Sequence, residues 1–199
     1  MTGRRVAIFG GSFNPIHIGH LIMAENALTD LKLDDVIFAP AGDPPHKSAT
    51  GLAPAADRFA MVAAAITGRA GFSASRIDLE GHGPSYTWRL LERFAEEDPG
   101  NRLWFLMGGD SLQDFPSWQR PDRILELARL AVVERPGYGV TFGSTPLLPD
   151  LSCRVDRIEA PLCDVSSTDI RERIQMERSI RFLVPESVRD YIEDNMPFG

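Results

Sequence analysis

Val6-Ala-Ile-Phe9 runs directly into Gly10-Gly-Ser-Phe-Asn-Pro-Ile-His-Ile-Gly-His20. Four apolar residues bounded by glycine read as a buried strand. Asn14 is a good N-cap type and Pro15 a good first helical residue, so a helix is expected to begin there and continue to about Leu31. Strand, glycine turn and helix in direct succession form the opening of an α/β unit. The same alternation continues along the chain. Val36 to Ala39, Phe72 to Leu79, Leu103 to Met107, Leu130 to Val133 and Val155 to Ile158 read as further strands. Helical periodicity appears over Asp57 to Ile66, Tyr86 to Glu97 and Ile124 to Ala128, and two helices close the chain at about Thr168 to Met176 and Glu186 to Asn195. Pro40 to Pro54 and Pro136 to Pro149 are rich in turn-forming residues and read as loops.

Strands alternating with helices predict a Rossmann-like, doubly wound, mostly parallel sheet with helices on both faces. No linker divides the chain, so residues 1–199 are expected to form one domain that includes the C-terminal helices at about 168–195. Ligands of such sheets bind beyond the carboxyl ends of the strands, which directs attention to the loops after strands one, two, four and six.

Composition narrows the function classes. The 199 residues carry 43% hydrophobic and 25% charged side chains, a balance typical of a globular chain. There is no apolar stretch of about 18 residues and no signal-like N-terminus, so neither a membrane nor export is expected and the location should be cytoplasmic. A net charge of −7 argues against a general nucleic-acid or anionic-membrane surface. It does not argue against a small anionic ligand held by local donors. Cys153 and Cys163 lack metal-type spacing and read as reduced thiols without a catalytic role.

The first loop carries the chemistry. Gly10 and Gly11 let a ligand approach the backbone, and the helix start supplies N–H groups and the positive end of a dipole. His17 and His20 are three apart, share a helix face and can each donate to a phosphate oxygen. A dinucleotide fingerprint would need G-x-G-x-x-G here and an acidic residue closing strand two, which ends Phe38-Ala39-Pro40. The lysine of a G-x-x-x-x-G-K-[ST] loop is also missing. Two histidines on one face would suit zinc only with further ligands, and none stands nearby. A phosphate cradle is the favoured reading; a zinc pair and a plain glycine turn remain the alternatives. Val165-Ser-Ser-Thr-Asp-Ile-Arg171 supplies a second such place. Ser166 and Asp169 have capping-box spacing, and Arg171 falls in the first turn, where a cation opposes the dipole unless an anion is bound.

Ser12-Phe-Asn-Pro-Ile-His-Ile-Gly-His20 resembles the [ST]-F-[ND]-P-x-H-x-G-H motif of the nucleotidylyltransferases, and Val165 to Arg171 resembles their [IV]-S-S-T-x-[IL]-R motif. Pro44-Pro-His-Lys47, Gly83-Pro-Ser-Tyr-Thr87, Gly108-Gly-Asp-Ser-Leu112, Pro116-Ser-Trp-Gln119, Phe182-Leu-Val-Pro-Glu186 and Tyr191-Ile192 resemble segments of the nicotinate-mononucleotide adenylyltransferases. The resemblance implies adenylyl transfer from ATP to nicotinate mononucleotide by direct attack, without a covalent intermediate. It assigns His17, His20 and Arg171 to catalysis. Gly10, Gly11, Ser12, Phe13, Lys47, Gly108, Asp110, Ser166, Ser167 and Thr168 go to ATP and its phosphates. Tyr86, Thr87, Trp118 and Gln119 go to the pyridine mononucleotide, the rings for stacking and the N–H groups of Thr87 and Gln119 for the carboxylate. Asp110 suits either ribose hydroxyls or magnesium-bound water. Mg²⁺ is implied as a cofactor held mainly through ATP phosphates and water, with no metal site built by the protein. A homodimer is also implied.

Two positions depart from the family's pattern. Trp88 and Arg89 stand where relatives often carry an acidic–Thr pair, and Gln175-Met-Glu-Arg178 lacks the usual closing glycine. Rival readings are an adenylyltransferase for phosphopantetheine, in which the Tyr86-Thr87 and Trp118 pair would be missing, and a nucleotide-sensing module without turnover.

Overall fold

A computed structural model describes residues 3–45, 51–134, 151–161 and 163–198. Six strands form one sheet: β1 (Arg5–Gly11), β2 (Asp35–Pro40), β3 (Phe72–Ala74), β4 (Arg102–Gly108), β5 (Ala128–Glu134) and β6 (Val155–Glu159). Their order is β3-β2-β1-β4-β5-β6 and every pairing is parallel. The α-helices are α1 (Ile18–Asp30), α2 (Ala55–Ile66), α3 (Thr87–Glu97), α4 (Gly109–Asp114), α5 (Pro121–Leu127), α6 (Ser167–Gln175) and α7 (Glu186–Asn195). Among the described residues no helix is long and apolar enough to cross a membrane.

Strand periodicity divides the core between the two faces of the sheet. Ala7 and Phe9 of β1, with Trp104 and Leu106 of β4, join Ala24 and Ala27 of α1, Met61 and Val62 of α2, Ile170 of α6 and Val188 of α7. The intervening Val6, Ile8, Leu103 and Phe105 join Leu90, Leu91 and Phe94 of α3, Leu112 of α4 and Ile124 of α5. Ile8, Leu91 and Ile124 are fully buried, each worth about 1.5–3 kcal/mol of transfer free energy. The expected doubly wound α/β fold is therefore present, and every described strand pairing is parallel.

Several element boundaries depart from expectation. Helix α1 starts at Ile18 rather than at Pro15, because the chain first turns through Phe13, whose φ is 45°, and His17, with extended backbone, takes the N-cap place. Asn14 does not cap the helix: it is buried, and its side chain donates to Gly51 O at 2.8 Å and accepts from Ala53 N at 3.0 Å. The expected third strand shortens to Phe72–Ala74, since Asp78 turns back to accept from Gly42 N at 2.9 Å. Helix α4 and the one-turn 3₁₀ helix Phe115–Ser117 occupy a stretch read only as motif, and β5 begins at Ala128, where helix was expected. The Pro136 to Pro149 segment lies outside the described residues.

The strand order reverses between β1 and β4; the carboxyl end of β1 opens into the first loop and that of β4 runs directly into α4. That crevice is where a doubly wound sheet receives its ligand.

Candidate active site

The first loop is anchored by its own aromatic residue. Phe13 is 1% exposed, with its ring edge-on to Phe9 at 5.4 Å and to His20 at 5.1 Å. Its side chain belongs to the core, which leaves only its backbone to meet a ligand. His17, itself buried, is the N-cap of α1, and its N–H donates to His20 Nδ1 at 3.2 Å. An Nδ1 that accepts leaves the neutral ring's proton on Nε2, so His20 is fixed in the tautomer that donates from that atom. The two rings lie 3.7 Å apart between centroids, tilted by 31°. Gly19 makes this approach possible: a Cβ there would stand 3.0 Å from both Cε1 and Nδ1 of His17.

The second motif is bonded onto the first. Ser167 Oγ donates to Pro15 O at 2.9 Å, and Arg171 Nη1 donates to Asn14 O at 2.8 Å. Arg171 Nη2 also reaches Thr168 Oγ1 at 3.3 Å. Ser166 caps α6 as expected, accepting from Asp169 N at 3.0 Å. The returning half of the capping box is replaced, because the Asp169 carboxylate pairs with Arg173 Nε at 3.0 Å. Arg171 is the fifth residue of α6 rather than a first-turn residue, long enough to reach back over the helix start.

Beside the junction of the two motifs lies a cavity of about 350 Å³. Gly10, Gly11 and Ser12 form one wall, and Tyr86, Thr87, Trp118 and Gln119 line another. The Trp118 ring is backed by Phe105 at 5.9 Å and Phe115 at 5.5 Å. Thr87 is the first residue of α3, so its N–H has no acceptor within the helix. The two unusual residues find each other: Arg89 lies over the Tyr86 ring at 5.6 Å and the Trp88 ring at 5.2 Å. Arg120 lies over Trp88 at 5.1 Å.

The remaining expected residues are dispersed around this centre. Gly108 caps α4 and Asp110 stands exposed in its first turn, neither of them lining the cavity, although Ser111 does. Lys47 lies outside the described residues. Among the described residues no group of three or more His, Cys, Asp or Glu could hold a metal ion. Cys153 is exposed and Cys163 half-buried, and neither is part of a disulfide.

Two residues escaped sequence reasoning. Asp78 lines the cavity, and no local pattern marks it. Arg58 is 1% exposed in α2, and burial lowers its pKa against the opposing charge of Asp78. A signal for it existed, because Arg58 shares the helix stripe of Met61, Val62 and Ile66, a charge on the face that packs into the core.

The cytidylyltransferase-like family model matches residues 8–173. The chain belongs to this family. Within it, the chain is 43% identical over 190 residues to a probable nicotinate-nucleotide adenylyltransferase of Rubrobacter xylanophilus, covering 94% of this chain and 89% of the relative. A Synechococcus protein of the same description is 40% identical, with 98% and 97% covered. Among solved structures, Plasmodium falciparum nicotinic acid mononucleotide adenylyltransferase complexed with NaAD superposes with a TM-score of 0.78 over 98% of both chains. At 20% identity that likeness speaks for the fold. The family membership and the nucleotidyltransferase fold expected from the motifs are thereby established.

Proposed function

We propose that the protein transfers the adenylyl group of ATP to nicotinate mononucleotide, forming the deamido dinucleotide and releasing diphosphate. The carrying observation is the junction of the two motifs, with Arg171 bonded to Asn14 O and Ser167 to Pro15 O, beside a cavity lined by aromatic rings and a helix start. The names of the relatives agree with this reading.

The chemistry is one displacement. A phosphate oxygen of the mononucleotide attacks the α-phosphorus of ATP, a new P–O bond forms, and the bond to the bridging oxygen of the β-phosphate breaks. The attacking oxygen is already anionic, so no base is required. The protein's part is positioning and stabilisation of charge on the transferring phosphoryl group. His20 donates from Nε2, His17 and the N-terminus of α1 border the same oxygens, and Arg171 adds a permanent positive charge. Gly10, Gly11 and Ser12, with Ser166 to Thr168, complete the phosphate cradle, and the family resemblance assigns Lys47 to phosphate as well. Mg²⁺ would accompany ATP and draw its ligands from phosphate and water, neutralising charge on the nucleotide, and Asp110 in the first turn of α4 would be the residue to orient its water or to accept from a ribose hydroxyl.

The pyridine ring stacks on Tyr86 and Trp118, and its carboxylate accepts from the N–H groups of Thr87 and Gln119. A carboxamide would turn its NH₂ toward one of these donors. The mismatch costs about 1–3 kcal/mol, or about 5- to 150-fold in specificity. The test is diphosphate release with ATP, nicotinate mononucleotide and nicotinamide mononucleotide competing in one reaction. Preference for the acid is expected. Equal use or preference for the amide overturns the carboxylate site, and absence of diphosphate release with either overturns the enzyme in favour of a sensing module.

A further inference from the structure

Arg58 sits beneath the ligand-facing loops without touching the cavity. Its side chain leaves α2 and divides between two loops: Nε donates to Ala53 O at 3.0 Å, and Nη1 donates to Ser12 O at 2.8 Å. Ser12 belongs to the loop after β1 and Ala53 to the loop after β2. A third loop, after β3, enters through Asp78, whose charge acts on Arg58 while its carboxylate accepts from Gly42 N at 2.9 Å. Asn14 ties the same two loops together through Gly51 O and Ala53 N.

These bonds have a direction that matters for an anionic ligand. A phosphate is repelled by carbonyl oxygens and attracted by N–H groups. In the first loop, the carbonyls of Ser12, Asn14 and Pro15 accept from Arg58, Arg171 and Ser167 respectively. Each of these oxygens therefore has a protein donor that orients it, and is less free to turn toward a triphosphate. Only Arg58 of the three donors is wholly buried. A buried guanidinium is expensive to desolvate, and a neutral apolar residue would fill the stripe of α2 at lower cost. What the apolar residue cannot supply is a planar fork that reaches two loops at once.

We propose that Arg58 is a positioning residue for the adenylyl-transfer reaction, holding the Ser12 carbonyl turned away from the triphosphate and locking the loops after β1 and β2 into one cradle. The inference rests on the functional reading above. It concerns geometry rather than contact with substrate.

The experiment compares wild type with Arg58→Met and Arg58→Lys at a temperature where each is folded by circular dichroism. It measures kcat and KM for ATP from diphosphate release, and the thermal shift caused by Mg-ATP. In Arg58→Met, kcat/KM for ATP falls by about 10- to 100-fold, the range set by a loop displaced on the ångström scale, and the Mg-ATP shift shrinks. Arg58→Lys keeps the charge and one hydrogen bond and recovers part of both. A purely structural role would lower the melting temperature and leave the kinetic constants of the folded enzyme and the nucleotide shift at wild-type values; that result overturns the proposal. Where Arg58→Met does not fold, Arg58→Lys is read by the same criteria. Failure of both to fold assigns Arg58 to the core alone and likewise overturns it. Absence of turnover in wild type would reject the assigned reaction, while the Mg-ATP thermal shift would still decide the role of Arg58.

Discussion

Replacing Arg171 by alanine separates nucleotide binding from folding. The side chain makes one 2.8 Å bond to Asn14 O and a longer one to Thr168 Oγ1, and it is half-buried. Losing it from the ligand-free protein removes these two hydrogen bonds, which solvent screening of a half-exposed cation reduces to roughly 1 kcal/mol of stability. Its loss from a phosphate site weakens binding more, by about 2 kcal/mol, or about 30-fold in Kd. At an ATP concentration about 100 times the wild-type Kd, the nucleotide stabilises wild type by about 2.7 kcal/mol. A 30-fold weaker Kd leaves roughly 0.9 kcal/mol under the same linkage. For a chain of this length 1 kcal/mol corresponds to about 2–4 °C, so a thermal shift of about 5–11 °C with Mg-ATP should fall to about 2–4 °C. Differential scanning fluorimetry with and without Mg-ATP reads both effects. A variant stabilised by the nucleotide as strongly as wild type would refute the assignment of Arg171 to phosphate.

Further expectations follow from other contacts. His20→Ala should lower turnover about 10²-fold or more in a folded enzyme, because the Nε2 donor is lost, and near-normal diphosphate release would sink that role. Gly19→Ala should favour the helix locally yet depress kcat, since the new Cβ stands 3.0 Å from the His17 ring; unchanged kcat would mean that the histidine position is immaterial. Asp156 is held below the usual carboxylate pKa, chiefly by its hydrogen bond from Arg129 and also by Trp104 Nε1. A depressed folded pKa stabilises above the unfolded value of about 3.9 and is lost as pH falls through the folded value. Asp156→Asn should therefore cost about 1 kcal/mol near neutrality, and the gap in Tm to wild type should close below about pH 4; a gap independent of pH would contradict this.

The parts of the fold written as local periodicity were legible in the sequence. Val6 to Phe9 and Leu103 to Met107 are short, apolar and flanked by turn residues, and they became β1 and β4, the two strands that bound the crevice. The start of α1 was misplaced because Asn14 and Pro15 have good capping chemistry in isolation. Tertiary partners at Gly51 and Ala53 claim the Asn14 side chain instead, and no local rule encodes residues 37 and 39 positions away. The site shows the same division. His17 and His20 were readable as a pair from spacing, whereas the bond from Arg171 to Asn14 spans 157 positions and is a product of the fold. Arg89 looked like a departure from the family's pattern, and its place over Tyr86 and Trp88 became visible only in three dimensions.

How a chain of net charge −7 can hold a triphosphate is answered by what its arginines bond. Arg69, Arg123, Arg129, Arg173 and Arg189 each face a carboxylate, so their charges are largely compensated within the protein. Arg171 bonds a carbonyl and a hydroxyl, and Arg58 bonds two carbonyls. Neutral acceptors orient a guanidinium without cancelling its charge, which holds for Arg171, whereas the charge of Arg58 is partly offset by Asp78. The nearest first-turn acid of α6, Asp169, is turned toward Arg173, which keeps a carboxylate off Arg171. At distances of a few ångströms such local charges outweigh the summed charge of the chain, because the distant carboxylates are screened by solvent and salt over roughly 8–10 Å. The acidic balance and an anion site are thus compatible, and pairing Arg171 with an introduced carboxylate, rather than changing the net charge, is what would abolish that site.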